Sequence, residues 1–254
     1  MEAYTDFAYV YDTFMDNTPY EEWCDYLVDI FKSHNIEAEL LLDLGCGTGT
    51  LTEMLAERGY DMIGVDYSQE MLDIAMEKKA ESGYEILYLL QDMREFELYG
   101  TVAGIVCVCD SINYLLTEED VLTTLKLANN YLDPQGLMIF DFNTVHKYRD
   151  VIGDTTIAEN RDDCSFIWDN FYHEEEGINE YEVTFFMQSE EKDGEPLFRR
   201  FEETHYQRGY TLEQMVSLVE KAGLRFLSAV DFDTKEPVTE DSERILIIAQ
   251  EMEK

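Results

Sequence analysis

The stretch LLDLGCGTGT, Leu41 to Thr50, decides how this chain is read. An apolar run carrying one acid, Asp43, is followed by glycines at alternate positions, Gly45, Gly47 and Gly49. A run of this kind reads as a buried strand over 39–45. The segment after it, TLTEMLAERGY (50–60), has Leu51, Met54 and Leu55 at helical spacing and a stop signal at Gly59. The glycines therefore lie in a strand-to-helix turn, where a backbone without Cβ atoms lets a ligand come close. A dinucleotide fold wants G-x-G-x-x-G at such a turn. Here the third glycine comes one residue early.

Outward from this turn, strands and helices alternate. DMIGVD (61–66), YEILYLLQD (84–92), VAGIVCVCD (102–110) and GLMIFDFN (136–143) read as strands. SQEMLDIAMEKKA (68–80), with Ser68 as N-cap, and TEEDVLTTLKLANNYL (117–132) read as helices. That rhythm predicts a parallel sheet wound by right-handed crossovers. Each strand ends in an acid or amide: Asp43, Asp66, Asp92, Asp110, then Asp141 and Asn143. In an open parallel sheet those ends form the ligand crevice.

After residue 143 the pattern changes. CSFIWDNFYH (164–173), INEYEVTFFMQ (178–188) and PLFRRFEETHYQ (196–207) have strand character, separated by turn signals at Gly177 and Asp193–Gly194. A helix over 211–223 and strands over 224–232 and 243–251 follow, and YEEWCDYLVDIFKSH (20–34) reads as an amphipathic helix before the first strand. The expected fold is α/β: a doubly wound, mostly parallel seven-stranded sheet with an inserted antiparallel meander and an N-terminal helical arm. The arm takes 1–36, the core 37–145 and 206–254, and the insertion 146–205.

Composition excludes several classes. Against 56 acidic residues stand 18 Lys plus Arg, a formal net charge of −38. Such a chain repels phosphate backbones and anionic membranes, and neutral or cationic small substrates suit it better than nucleic acid. The start, MEAYTDFAYVYD, does not read as a signal peptide, and no apolar run approaches the roughly 20 residues of a bilayer span. Five cysteines with no CxxC pair suggest neither a zinc site nor a disulfide framework, so a reduced cytoplasmic protein without metal is expected.

Asp66 lies twenty-three residues after Asp43 and is placed to accept both hydroxyls of a ribose. Asp92, twenty-six further on, can accept from an exocyclic amine such as that of adenine. An acid, alternate glycines, a ribose acid and an adenine acid in this order resemble the class I S-adenosylmethionine-dependent methyltransferases. VCVCDSINYL and LDPQGLMIFDFN resemble that family's next segments. FAYVYDTFM…PYEEW is similar to bacterial small-molecule enzymes of the glycine N-methyltransferase-like kind. The resemblance implies S-adenosylmethionine as cofactor. Gly45, Gly47 and Gly49 would lie along its methionine portion, Asp66 at the ribose and Asp92 at the adenine, with Tyr67 and Met93 beside the ring. Asp110 would hold the amino-acid end, or it caps its turn. Asp43 would orient the loop, or reach the cofactor's amino group through water. Tyr11 and Trp23 would close over the cofactor, or serve as core.

Methyl transfer is an in-line displacement that needs alignment in a dry site and removal of the acceptor's proton. His205, His173, Asp110 and Tyr114 are candidates for the base. Arg208 would take a substrate carboxylate, unless it and His205 are structural. Trp168, Phe171 and Tyr172 fit a cage for a cationic amine, the core of the insertion or a homodimer interface. The leading reading is transfer to a small-molecule acceptor at N or O. The alternatives are a sensor that binds the cofactor without transferring the methyl, and an RNA-directed enzyme. Charge and the DSINY sequence, in place of an NPPY-type tetrad, weigh against the latter. An NAD-dependent reductase fits poorly, because the glycine spacing differs and no Tyr-x-x-x-Lys pair follows the fourth strand.

Overall fold

The computed structural model describes residues 8–192 and 195–252. The Asp193–Gly194 turn and the first seven residues, including Phe7 of the N-terminal motif, lie outside the described residues. The arm holds α1 (Ala8–Phe14) and α2 (Tyr20–Ser33). The core then runs β1 (Leu40–Leu44), α3 (Thr50–Glu57), β2 (Asp61–Asp66), α4 (Gln69–Ser82), β3 (Leu87–Leu90), β4 (Val102–Cys107), α5 (Glu118–Tyr131) and β5 (Leu132–Asn143). A separate sheet follows, of β6 (Thr156–Asn160), β7 (Cys164–His173), β8 (Ile178–Lys192) and β9 (Glu195–Arg208). The chain closes with α6 (Leu212–Lys221), β10 (Leu224–Asp231) and β11 (Arg244–Glu251).

The main sheet has seven strands in the order β10-β11-β5-β4-β1-β2-β3. The five strands from β3 to β5 are parallel, and β11 runs antiparallel to both β5 and β10. The expected fold class is what the structure has. Strand alternation sends side chains to opposite faces. Leu42, Leu44, Ile105, Cys107, Phe140 and Ile247 join one core beneath α5 and α6. Leu41, Ala103, Val106, Ile139 and Leu246 join the other, beneath α2 and α3. Both faces are buried, so these strands are near-continuous apolar runs.

Local chemistry places the helix ends. Ser68 caps α4 by accepting from the Met71 amide at 3.2 Å. Thr117 does the same for α5, and Thr211 with Gln214 forms a capping box on α6. The order reverses at β1, whose neighbours β2 and β4 leave it with crossovers on opposite faces, opening a crevice at their carboxyl ends.

Several boundaries differ from the sequence expectation. The fourth strand ends at Cys107, not 110, because Cys109 and Asp110 adopt left-handed conformations (φ 64° and 54°). That turn aims the Asp110 amide at Asp141 Oδ1, 3.0 Å away. β5 starts at Leu132 rather than 136. The insertion gains a fourth strand, β6, an edge strand with little burial and so no apolar alternation to signal it. Its inner face meets the arm, where Val10 clusters with Tyr181, Val183 and Phe185. The Arg161 guanidinium clasps Asp16 at 2.8 Å and lies over Phe14.

Phe31 of α2 is fully buried and covers Gly104, where any Cβ would collide with its ring. Phe31→Ala should therefore lower unfolding stability by about 3–5 kcal/mol in urea titrations. A loss below about 1 kcal/mol would mean the site collapses freely.

Candidate functional site

The glycine turn is built by backbone hydrogen bonds that only its conformation allows. The Gly45 and Cys46 amides both donate to Val65 O, at 2.7 and 3.0 Å. Gly45, Gly47 and Gly49 all have positive φ, at 80°, 53° and 76°. Their roles differ. A Cβ at Gly45 would lie 2.7 Å from Ser111 Oγ, and one at Gly49 would meet Tyr88 and Ala75. A Cβ at Gly47 would meet nothing within 4 Å, since it points into open space.

That space is a cavity of about 340 Å³ at the carboxyl ends of β1, β2 and β4. Asp43, Gly45, Gly47, Asp66, Tyr67, Asp92, Met93, Tyr11 and Tyr114 all line it, so the structure brings together most of the residues singled out in the sequence. Gly49 is not among the lining residues; it forms the N-cap of α3.

The Asp66 carboxylate accepts from the Gly47 amide and the Ser68 amide, both at 2.8 Å. Burial raises its pKa, against the pull of these donors. Each oxygen retains acceptor capacity toward the cavity. Asp43 lies deeper and accepts from Thr52 Oγ1 at 2.6 Å. Burial pushes its carboxyl up to about 7. Asp92 is gripped by Arg94, whose Nε lies 2.9 and 3.2 Å from its two oxygens and whose Nη2 lies 2.5 Å from Oδ2. That hydrogen-bonded guanidinium holds its pKa below the usual carboxylate value. Tyr67 is largely exposed at the rim.

Besides Gly49, four expected residues sit elsewhere. Trp23 is buried against Phe232, with ring centroids 4.9 Å apart, and Arg244 lies 5.2 Å over its ring. Tyr20, one helical turn earlier, lines the cavity in its place. Asp110 turns its carboxylate away from the cavity to Arg244 Nη2 at 2.8 Å and Gln207 Nε2 at 2.7 Å. Arg208 donates to Leu116 O at 3.1 Å and lies over Tyr210. It is not at the cavity, because cation–π contact and a carbonyl hold it beside the turn after β4. His205 is buried behind Tyr114, and its Nδ1 lies 3.0 Å from the Tyr114 hydroxyl.

Sequence reasoning missed Thr48, Asp12 and Lys78. Thr48 donates to Asp12 Oδ1 at 2.6 Å, and Lys78 pairs with Asp12 at 2.6 Å. Together they latch α1 onto the glycine loop and α4. It also missed Arg244, which holds Asp110 and lies 3.3 Å from Asp141 Oδ2. No local pattern marks these residues, whose partners lie far away in the chain.

The segment 41–136 matches the family model described as a methyltransferase domain. The chain is 36% identical to the candidate methyltransferase YqeM of Bacillus subtilis (strain 168), over 97% of its own length and 96% of that protein's. This chain belongs to the S-adenosylmethionine-dependent methyltransferase family. The crystal structure of a family member from Clostridium acetobutylicum ATCC 824 superposes with a TM-score of 0.88 at 28% identity, covering 99% of this chain and 100% of that one. A further relative is the dTDP-3-amino-3,4,6-trideoxy-alpha-D-glucopyranose N,N-dimethyltransferase of Streptomyces venezuelae. It is 29% identical across 54% of this chain and 56% of its own.

Two tests follow from the geometry. Asp66→Ala should weaken S-adenosylmethionine binding by about 1–3 kcal/mol, the cost of a charge-assisted hydrogen bond. Calorimetry would read this, and an unchanged affinity would remove the carboxylate from the binding site. The second test concerns Asp43, whose folded pKa of about 7 exceeds the ordinary 3.8. The folded state then binds this proton more tightly than the unfolded chain. Its stabilising effect is present at low pH and is lost as pH rises through about 7. Without cofactor, the urea midpoint should fall over that window. Asp43→Asn, which keeps an acceptor for Thr52, should flatten the fall, and an equally steep fall in the variant would contradict this.

Proposed function

We propose that this protein transfers a methyl group from S-adenosylmethionine to the nitrogen of a small amine. The observation that carries this reading is the make-up of the cavity wall. From the ends of β1, β2 and β3 come the glycine loop, Asp66 and Asp92; on the β4 side come Tyr114 and Tyr11, whose hydroxyl lies 3.6 Å from Cys109 Sγ, with Tyr20 also in the lining. The first group suits a nucleoside with an aminoacyl arm. The second is a neutral phenolic surface that accepts a cation or its conjugate amine through hydroxyl oxygens and ring faces.

Among the described residues lining the cavity, Arg94 is the one cation, and it is engaged with Asp92. With Arg208 elsewhere, an acceptor carboxylate finds no fork to bind it. An amine lacking a carboxylate fits better, and the net charge of −38 favours its approach. The Streptomyces relative, by its name, methylates the nitrogen of an amino sugar.

The reaction needs no covalent enzyme intermediate. The cofactor supplies an activated methyl, and the chain supplies alignment in a site roofed by α1. Orientation of this kind lowers a barrier by on the order of 7–11 kcal/mol. The free thiols of Cys24, Cys46, Cys107, Cys109 and Cys164 suit the reducing cytosol, where we place the protein.

Incubation with S-adenosylmethionine and a panel of small primary and secondary amines should release S-adenosylhomocysteine and a methylated amine, both visible by mass spectrometry. Cofactor binding with no product from any amine or hydroxyl compound would favour a sensor. Methylation of RNA in preference to small acceptors would overturn the reading.

A further inference from the structure

The inner face of β9 carries a row that an antiparallel sheet over a core should not have. Glu203, His205 and Gln207 alternate along the strand and are all buried, at 2%, 2% and 3% exposure. Burying polar groups is costly unless each is partnered. Gln207 is used structurally: it accepts from Tyr148 and donates to Asp110. Glu203 and His205 lead elsewhere. The His205 ring stacks on that of its cross-strand partner Tyr181, centroids 5.0 Å apart at 10°. Its Nε2 lies 3.3 Å from Glu203 Oε2, and its Nδ1 lies 3.0 Å from the Tyr114 hydroxyl. That hydroxyl is also 2.9 Å from Tyr181 OH, and Tyr114 lines the cavity. A carboxylate, an imidazole and a hydroxyl thus stand in line, with the hydroxyl end at the site and the rest dry.

We propose that Glu203, His205 and Tyr114 form a proton relay for an acceptor that arrives as an ammonium ion. This rests on the amine reading above. The order carboxylate, imidazole, hydroxyl is that by which a buried acid orients an imidazole to accept a hydroxyl's proton. The Glu203 carboxylate stands 3.3 Å from Nε2 as a counter-charge without hydrogen-bond alignment, and Nδ1 accepts from Tyr114. An N–H bond of the ammonium breaks and its proton goes to the Tyr114 oxygen, while the proton of Tyr114 passes to His205 Nδ1. The electron pair left on nitrogen forms the bond to the methyl carbon, and the carbon–sulfur pair leaves with sulfur. The imidazolium stands beside the Glu203 carboxylate until product departs and the proton returns through Tyr114 to water. Tyr114 is the catalytic residue. Glu203 and His205 are positioning residues acting through it, and Tyr181 holds its hydroxyl in place. Titratable groups against the imidazole include Glu203 on its own strand, Tyr181 on β8 and Tyr114 on the turn after β4.

The test is the pH profile of S-adenosylhomocysteine formation from the amine panel, for the full chain and for Glu203→Gln and Tyr114→Phe. Both variants should bind S-adenosylmethionine as the wild type does and lose roughly 10²-fold or more in kcat at neutral pH. Both variants should recover toward wild type near pH ~10, where an alkyl amine arrives already neutral. Recovery of that kind is not expected of residues that merely support the fold. A wild-type rate at neutral pH, or a loss equal at every pH, overturns the relay alone. Cofactor binding by the wild type with no product from any amine overturns the amine reading, and the relay with it. Nitrogen-15 spectra of the imidazoles give a check independent of turnover. The relay requires His205 to be the Nε2–H tautomer at neutral pH, and the Nδ1–H tautomer would overturn it.

Discussion

The Asp66 carboxylate is the point on which the rest of the site depends. It ends β2, yet it accepts amides from the turn after β1 and from the first residue after its own neighbour Tyr67. One half-buried carboxylate thus ties the glycine loop and the start of α4 to the end of β2 in a single wall. Two amide donors offset part of the desolvation such a carboxylate suffers. A nucleoside hydroxyl approaching this wall meets an acceptor already oriented, with little left to reorganise.

A second polar system lies across the cavity, where the inserted sheet meets the carboxyl ends of β4 and β5. Arg244, Asp110, Asp141, Gln207 and Tyr148 are linked beneath the meander, and burial pushes the Asp141 carboxyl up to about 6. Because Asp110 is held by this network, the turn carrying Ser111 and Tyr114 is fixed from below. The arm fixes the site from above through Asp12, Thr48 and Lys78, and from the side through Arg161 and Asp16. The insertion therefore supports the site from behind through Gln207 and Tyr148. Its polar row on β9 reaches Tyr114 through His205 and the Asp110 network through Gln207.

The legible parts of this structure were those governed by neighbours in sequence. Strand and helix periods, the glycine turn, the cap at Ser68 and the acids at strand ends all arise within a few residues of one another. Strand β6 escaped because an exposed edge needs no apolar alternation. The destinations of Trp23, Asp110 and Arg208 escaped for a different reason. Each is set by a partner far away in the chain: Phe232 and Arg244 for Trp23, Arg244 for Asp110, and the carbonyl of Leu116 for Arg208. Arg244 itself reads as an ordinary charge opening a strand. Only the fold reveals that two acids wait for it. His205 was visible as a residue type near the end of the insertion, but Glu203 behind it was one acid among many in an acidic chain.

The most direct measurement of the central claim is a crystal structure of the protein with S-adenosylhomocysteine. The account predicts ribose hydroxyls within about 3 Å of the Asp66 oxygens, the aminoacyl arm along Gly45 and Gly47, and the sulfur turned toward Tyr114. A ribose held away from Asp66, or a sulfur facing the far end of the cavity from Tyr114, would contradict it.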